Sequence, residues 1–126
     1  MDPVAIIKEF YPRVAEVHYK DVPARYRGWK GPAPTQEMEN GQSLFQPMGT
    51  GGVDFPALHA FLLGRKYSGW ILLDYEAPRP GDGQGTLEQS ILHNKNYLVD
   101  VLQVTTLGAS HPGQSKCCLL YTSRCV

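Results

Sequence analysis

The sequence predicts an α/β fold built from parallel β/α units, and three observations predict it. An amphipathic stretch at Asp2–Phe10 leads into a short β-branched strand that runs out in ionisable residues at His18–Asp21. A second amphipathic stretch, Asp54–Leu63, leads into the near-continuous apolar run of Trp70–Glu76. A third helical pattern then covers Thr86–Val104. Helices alternating with buried strands imply crossover connections and a parallel sheet. Two strands do not make a stable parallel sheet by themselves, so the body reads as about two units of something larger.

The first helix has a clear start. Asp2 is its N-cap, Pro3 takes the first helical position, and Val4, Ile6, Ile7 and Phe10 form the apolar side. Pro12 is expected to end it. In "VAEVHYKD", Val14 and Val17 are the β-branched residues of a strand, and His18, Lys20 and Asp21 stand at its end. In parallel α/β folds this is the end where ligands bind.

The segment 22–48 is polar and rich in Pro, Gly, Gln and Glu. A loop of that length in a compact domain is typically a functional loop or lid. Trp29 within it either covers a ligand or pins the loop to the body. Asp54 is placed to cap a helix over Phe55–Leu63, with Pro56 in the first turn. Phe55, Leu58, Phe61 and Leu62 are its apolar face, and Gly64 or Gly69 is expected to stop it. Trp70–Glu76 reads as a strand buried on both faces, with Trp70 in the core and two acids, Asp74 and Glu76, at its end. Leu87, Ile91, Leu98 and Leu102 are spaced for the last helix. Beyond Thr106 the periodicity fades, leaving an irregular tail over 107–117.

The bulk properties narrow the function. The chain has 126 residues, with 12 Lys and Arg against 12 Asp and Glu. That balance offers no basic field for nucleic acid. No apolar run is long enough for a bilayer and no signal peptide precedes the first helix, so the expectation is a cytoplasmic protein with no membrane partner. All three cysteines, Cys117, Cys118 and Cys125, crowd the C-terminus. The stretch "CLLYTSRCV" at 118–126 resembles the translation of a transposase sequencing adapter. It is read as non-native and kept out of the fold.

His18 ends one strand; Asp74 and Glu76 end the other, and residues two apart on a strand share a face. Imidazole with carboxylates suits a divalent ion such as Mn²⁺, Mg²⁺, Co²⁺ or Zn²⁺. Such an ion polarises a sugar carbonyl and stabilises the enediolate left when a neighbouring proton departs. Residue types alone leave a second reading open, in which His18 is a surface residue at an ordinary strand end. His59, His93 and His111 have no partner at ligand spacing and read as structural or exposed.

Three stretches, "DPVAIIKEFYPRVAEVHYKDV", "MGTGGVDFPALHAFL" and "YSGWILLDYEAP", resemble the C-terminal part of the sugar phosphate isomerase/epimerase family of xylose isomerase-like barrels. His18, Lys20 and Asp21 match its H-x-K-D strand end. Gly49, Gly51, Asp54 and Phe55 match its G-x-G-x-x-D-F loop, and Gly69 and Trp70 open its last strand. The resemblance implies that 1–106 is the C-terminal portion of a (β/α)8 TIM barrel, incomplete on its own. It implies a parent protein that is a divalent-metal-dependent sugar or sugar phosphate isomerase or epimerase, acting by proton transfer next to a carbonyl. The fragment itself is expected to be inactive, because the family takes further ligands from earlier strands.

Carried over residue by residue, His18 is the metal-binding histidine and Asp74 the metal-binding acid that also serves the proton transfer. The family has Glu where this chain has Asp74, which makes Glu76 a further candidate ligand. Lys20, Asp21 and Arg25 are candidate substrate contacts, with loop-fixing or solvated roles as the alternative for each. The implied partner is a small carbohydrate, with a homo-oligomer open to the full-length parent. The alternatives are an inosose dehydratase-like lyase of the same superfamily and a non-catalytic sugar-binding barrel.

Overall fold

In the computed structural model, residues 2–39, 42–79 and 81–104 are described. The irregular tail, the adapter-like stretch, the three cysteines and His111 lie outside the described residues. The elements run α1 (Pro3–Phe10), β1 (Glu16–Tyr19), α2 (Phe55–Gly64), β2 (Trp70–Leu73) and α3 (Leu87–Asn96). The two strands pair in parallel, Glu16 opposite Trp70 through Tyr19 opposite Leu73. The fold is thus mixed α/β, with a two-stranded parallel sheet and three α-helices among the described residues.

The helix starts follow the capping chemistry. Asp2 accepts from the Val4 amide at 2.9 Å and Asp54 from the Ala57 amide at 3.0 Å, each supplying a partner to an amide that the first turn leaves free. At α3, Thr86 and Gln89 form a reciprocal capping box: Gln89 N–H donates to Thr86 Oγ1 at 3.2 Å, and Thr86 N–H donates to Gln89 Oε1 at 2.8 Å.

The helix ends differ from expectation. Gly64 is the last residue of α2 rather than its stop. The turn is made by Lys66, at φ +53°, and Tyr67 N–H returns to the Leu62 carbonyl at 3.0 Å. That is the 6→1 bond of a Schellman ending, here built without glycine. The expected last helix over Thr86–Val104 is α-helical only to Asn96. It then widens into a π-helical turn, Tyr97–Val101. Leu98 and Leu102 still reach the core, whereas Leu87 and Ile91 are only half-buried.

The core gathers on one face of the sheet. Val17 and Tyr19 of β1 and Ile71 and Leu73 of β2 pack with Val4 and Ile7 of α1, Phe55, Leu58 and Leu62 of α2, and Met48. The alternate strand residues face away, which overturns the expected burial of β2 on both faces. Trp70, expected in the core, is 46 % exposed. The physical reason is the strand period of two: with the helices' apolar side chains on one face only, every second residue is left outside. The polar segment after β1 is partly ordered, with 3₁₀ turns at Ala24–Tyr26 and Gln36–Glu39. Trp29 lies edge-on to Tyr26 and donates from Nε1 to the Pro32 carbonyl at 2.6 Å, so its contacts pin the loop to itself.

His59 is the one histidine that α2 carries into this core. Its Nδ1 lies 2.9 Å from the Tyr19 hydroxyl, and burial lowers its pKa below the usual imidazole value. A lowered pKa in a base means that the unfolded chain binds the proton more readily. The stability this residue contributes is therefore complete above the unfolded imidazole pKa of about 6.5 and is lost as pH falls below it. The urea midpoint of the wild-type chain is expected to fall more between about pH 7.5 and about pH 5.5 than that of His59→Gln. Parallel losses in the two proteins would show that other groups carry the acid sensitivity.

Candidate functional site

The glycine-rich part of the loop that follows β1 is organised by one carboxylate. Asp21 is 1 % exposed, and its Oδ1 accepts from the amides of Val22 and Val53, each at 3.0 Å. Its Oδ2 accepts from the amides of Gly49 and Gly51, also at 3.0 Å. An ionised carboxylate has about four lone-pair sites, and all four are used here. The Asp21 backbone carbonyl also accepts from Gln46 N–H at 3.1 Å. These contacts fix the loop, the second of the two roles open to Asp21.

The glycines of this loop are needed for different reasons. Gly49 has φ +77°, and a Cβ there would lie 2.1 Å from the Tyr97 ring. A Cβ on Gly51 would lie 2.1 Å from the Val22 carbonyl oxygen and 2.5 Å from Asp21 Oδ1. Both positions therefore require the absence of a side chain. Burial first, and then the nearby charges of Asp21 and Asp54, raise the Tyr97 phenol above its usual pKa. Asn94 and His93 of α3 hold the start of the same loop: Asn94 Oδ1 accepts from Met48 N–H at 2.7 Å, and His93 Nε2 lies 2.9 Å from the Met48 carbonyl.

The polar cluster at the carboxyl end of the sheet draws on both strands. His18 and Asp74 are neighbours, with Nδ1 and Oδ2 3.8 Å apart, and Asp74 N–H donates to the Tyr19 carbonyl at 3.1 Å, continuing the ladder past β2. The other ring nitrogen of His18 is 2.5 Å from Glu16 Oε1. Lys20 Nζ donates to Asp74 Oδ2 at 3.3 Å and to Glu76 Oε1 at 3.0 Å. It also lies 3.7 Å from the centre of the Phe45 ring, a cation–π contact. Asp74 and Glu76 thus meet the same ammonium, and their spacing places them on one side of the strand end.

Of the expected metal set, His18 and Asp74 are brought side by side, while Glu76 is turned to Lys20. Among the described residues, no group of three or more His, Cys, Asp or Glu is arranged to hold a metal ion. Arg25 lies apart from this cluster. Its guanidinium pairs with Glu39, whose carboxylate is buried and also accepts from the Tyr26 hydroxyl at 2.5 Å. The hydrogen bond to Glu39 is the main reason that both Arg25 and Tyr26 have raised pKa values.

Two participants escaped the sequence reading. Glu16 sits two residues before His18 on the same strand face, so its partnership was legible in the period-two spacing. Phe45 belongs to the long polar segment, and no local pattern ties it to Lys20. No helix among the described residues is long and apolar enough to cross a membrane. No protein-family model matches the chain, and neither a curated protein nor a solved structure matches it.

Two substitutions separate the aspartates by role. Asp21→Asn turns an amide donor toward amides that are themselves donors, and it is expected to cost about 3 kcal/mol or more in denaturant unfolding, with faster exchange of the Gly49, Gly51 and Val53 amides. Asp54→Asn replaces one good N-cap by another and is expected to cost less than about 0.5 kcal/mol. Equal effects of the two would remove the anchoring role from Asp21.

Proposed function

We propose that this chain is the C-terminal β/α portion of a xylose isomerase-like barrel, and that the whole protein is a divalent-metal-dependent sugar or sugar phosphate isomerase or epimerase. The observation that carries this reading is the pairing of His18 with Asp74 at the carboxyl end of parallel strands, Nδ1 to Oδ2 at 3.8 Å. That end is where α/β barrels place their chemistry. The exposed outer face of the sheet, with Trp70 and His18 on it, supports the reading that further β/α units accompany these two.

Within this reading each side chain has a limited task. His18 and Asp74 present a nitrogen and an oxygen donor side by side, two members of a ligand set whose others come from other strands. Asp74 also serves the proton transfer in this reading. Lys20 places a positive charge where a sugar hydroxyl or phosphate oxygen would approach the same strand ends. Asp21 acts at one remove by holding the glycine loop in place beside them, and the Arg25–Glu39 pair by bracing the polar segment.

The substrate is a small carbohydrate, and the chemistry is proton transfer next to its carbonyl. The isolated chain is expected to turn over no aldose or ketose and to bind Mn²⁺ only weakly. The source DNA is expected to continue the frame upstream through β/α units bearing a strand-end Glu and an Asp-x-x-His. In the complete protein, His18→Ala and Asp74→Ala are each expected to lower kcat/KM for aldose–ketose interconversion by about 100-fold or more. Turnover by the isolated chain, or a native start at Met1, would overturn this reading.

A further inference from the structure

The cluster at the strand ends already contains a cation. Lys20 Nζ donates to Asp74 Oδ2 and to Glu76 Oε1 at 3.3 and 3.0 Å, and its side chain is 24 % exposed. On another side it meets the Phe45 ring at 3.7 Å. The ring is itself held. Gln46 N–H donates to the Asp21 carbonyl at 3.1 Å, and Gln84 Nε2 donates to the Phe45 carbonyl at 2.9 Å. The ammonium is thus seated by two carboxylates and an aromatic face, on a loop that the Asp21 anchor keeps in register.

We propose that Lys20 is a built-in counter-ion that competes with divalent cations for Asp74 and Glu76, so that a metal held by His18 and Asp74 in the complete protein must first displace it. The inference rests on the metal-dependent reading above only for the choice of ion. Its physical basis is competition for the same oxygens. Asp74 Oδ2, the atom nearest to His18 Nδ1, is also the atom that accepts the lysine hydrogen bond. An ammonium and a divalent ion beside that oxygen would repel one another strongly at such short range. The ion would have to displace a lysine that also gains from Phe45, whose ring offers nothing to a hard, oxygen-seeking cation. Glu16 does not relieve the competition, because it is engaged with the other ring nitrogen of His18.

Removing the charge while keeping the stem on Phe45 should convert the cluster into a cation site. Lys20→Met is expected to bind Mn²⁺ about tenfold or more tightly than the wild-type chain, read from the electron paramagnetic resonance of free Mn²⁺. Adding Asp74→Asn should abolish the gain, and Lys20→Arg, which keeps the charge, should bind no better than wild type. Far-ultraviolet circular dichroism and the exchange of the Gly49 and Gly51 amides report whether each variant keeps the fold. Lys20→Gln is a second neutral variant with the same expected gain. The carboxylate carbon resonances report the same contrast: at equal Mn²⁺, those of Asp74 and Glu76 should broaden less in wild type than in Lys20→Met.

Equal Mn²⁺ affinity in wild type and the neutral variants, a gain that survives Asp74→Asn, or broadening of those two carboxylates in wild type as great as in Lys20→Met would overturn the proposal. The isomerase activity of the complete protein tests the metal-dependent reading, whereas Mn²⁺ affinity across the Lys20 variants tests this one. Either can fail without the other.

Discussion

The Asp21 carboxylate is the constraint on which the arrangement of this chain depends, because it converts a glycine-rich segment into a fixed surface. Four amides from Val22, Gly49, Gly51 and Val53 converge on its two oxygens. A buried carboxylate is costly to desolvate and is tolerated when its acceptor sites are filled by well-placed donors. Gly49 and Gly51 lie between Asp21 and α2, so the same bonds set where α2 begins. Phe55, in the first turn of that helix, is fully buried against Tyr19. One side chain therefore connects the end of β1, the glycine loop and the packing of α2 on the sheet.

The same anchor governs the charged cluster. Lys20 immediately precedes Asp21, and Gln46 bonds to the Asp21 carbonyl, which brings Phe45 over the lysine. With Lys20 held there, Asp74 and Glu76 share a positive charge that belongs to the chain. His18 takes its hydrogen-bonding partner, Glu16, from its own strand face. The cluster is thus largely paired internally, and exchange of those partners is the chemical event that any incoming ligand would have to drive.

A second carboxylate organises the other half of the polar segment. Glu39 is buried and takes the Tyr26 hydroxyl and the Arg25 guanidinium, while the Tyr26 ring meets Trp29 edge-on. The segment between β1 and α2 thus has two polar centres of its own, one at Asp21 and one at Glu39. Among its described residues, most hydrogen bonds stay within the segment, shared between its own backbone and side chains.

Local chemistry was legible wherever the partners lie within a few residues. The caps at Asp2 and Asp54, the order of helices and strands, and the shared side of Asp74 and Glu76 follow from hydrogen bonds and periodicities spanning at most four residues. The sequence by itself determined those elements and their alternation, and with them a parallel two-stranded sheet. The tertiary structure alone decided which cation Asp74 and Glu76 face, that Asp21 turns inward to the glycine loop, and that Arg25 turns to Glu39. It also decided that Trp70 stays outside and that α3 widens into a π-helical turn. Asp21 and Gly51 are 30 positions apart, and Lys20 and Glu76 are 56 apart. No local periodicity encodes a distance of that kind. It is settled only when the strands pair and the core closes on one face of the sheet.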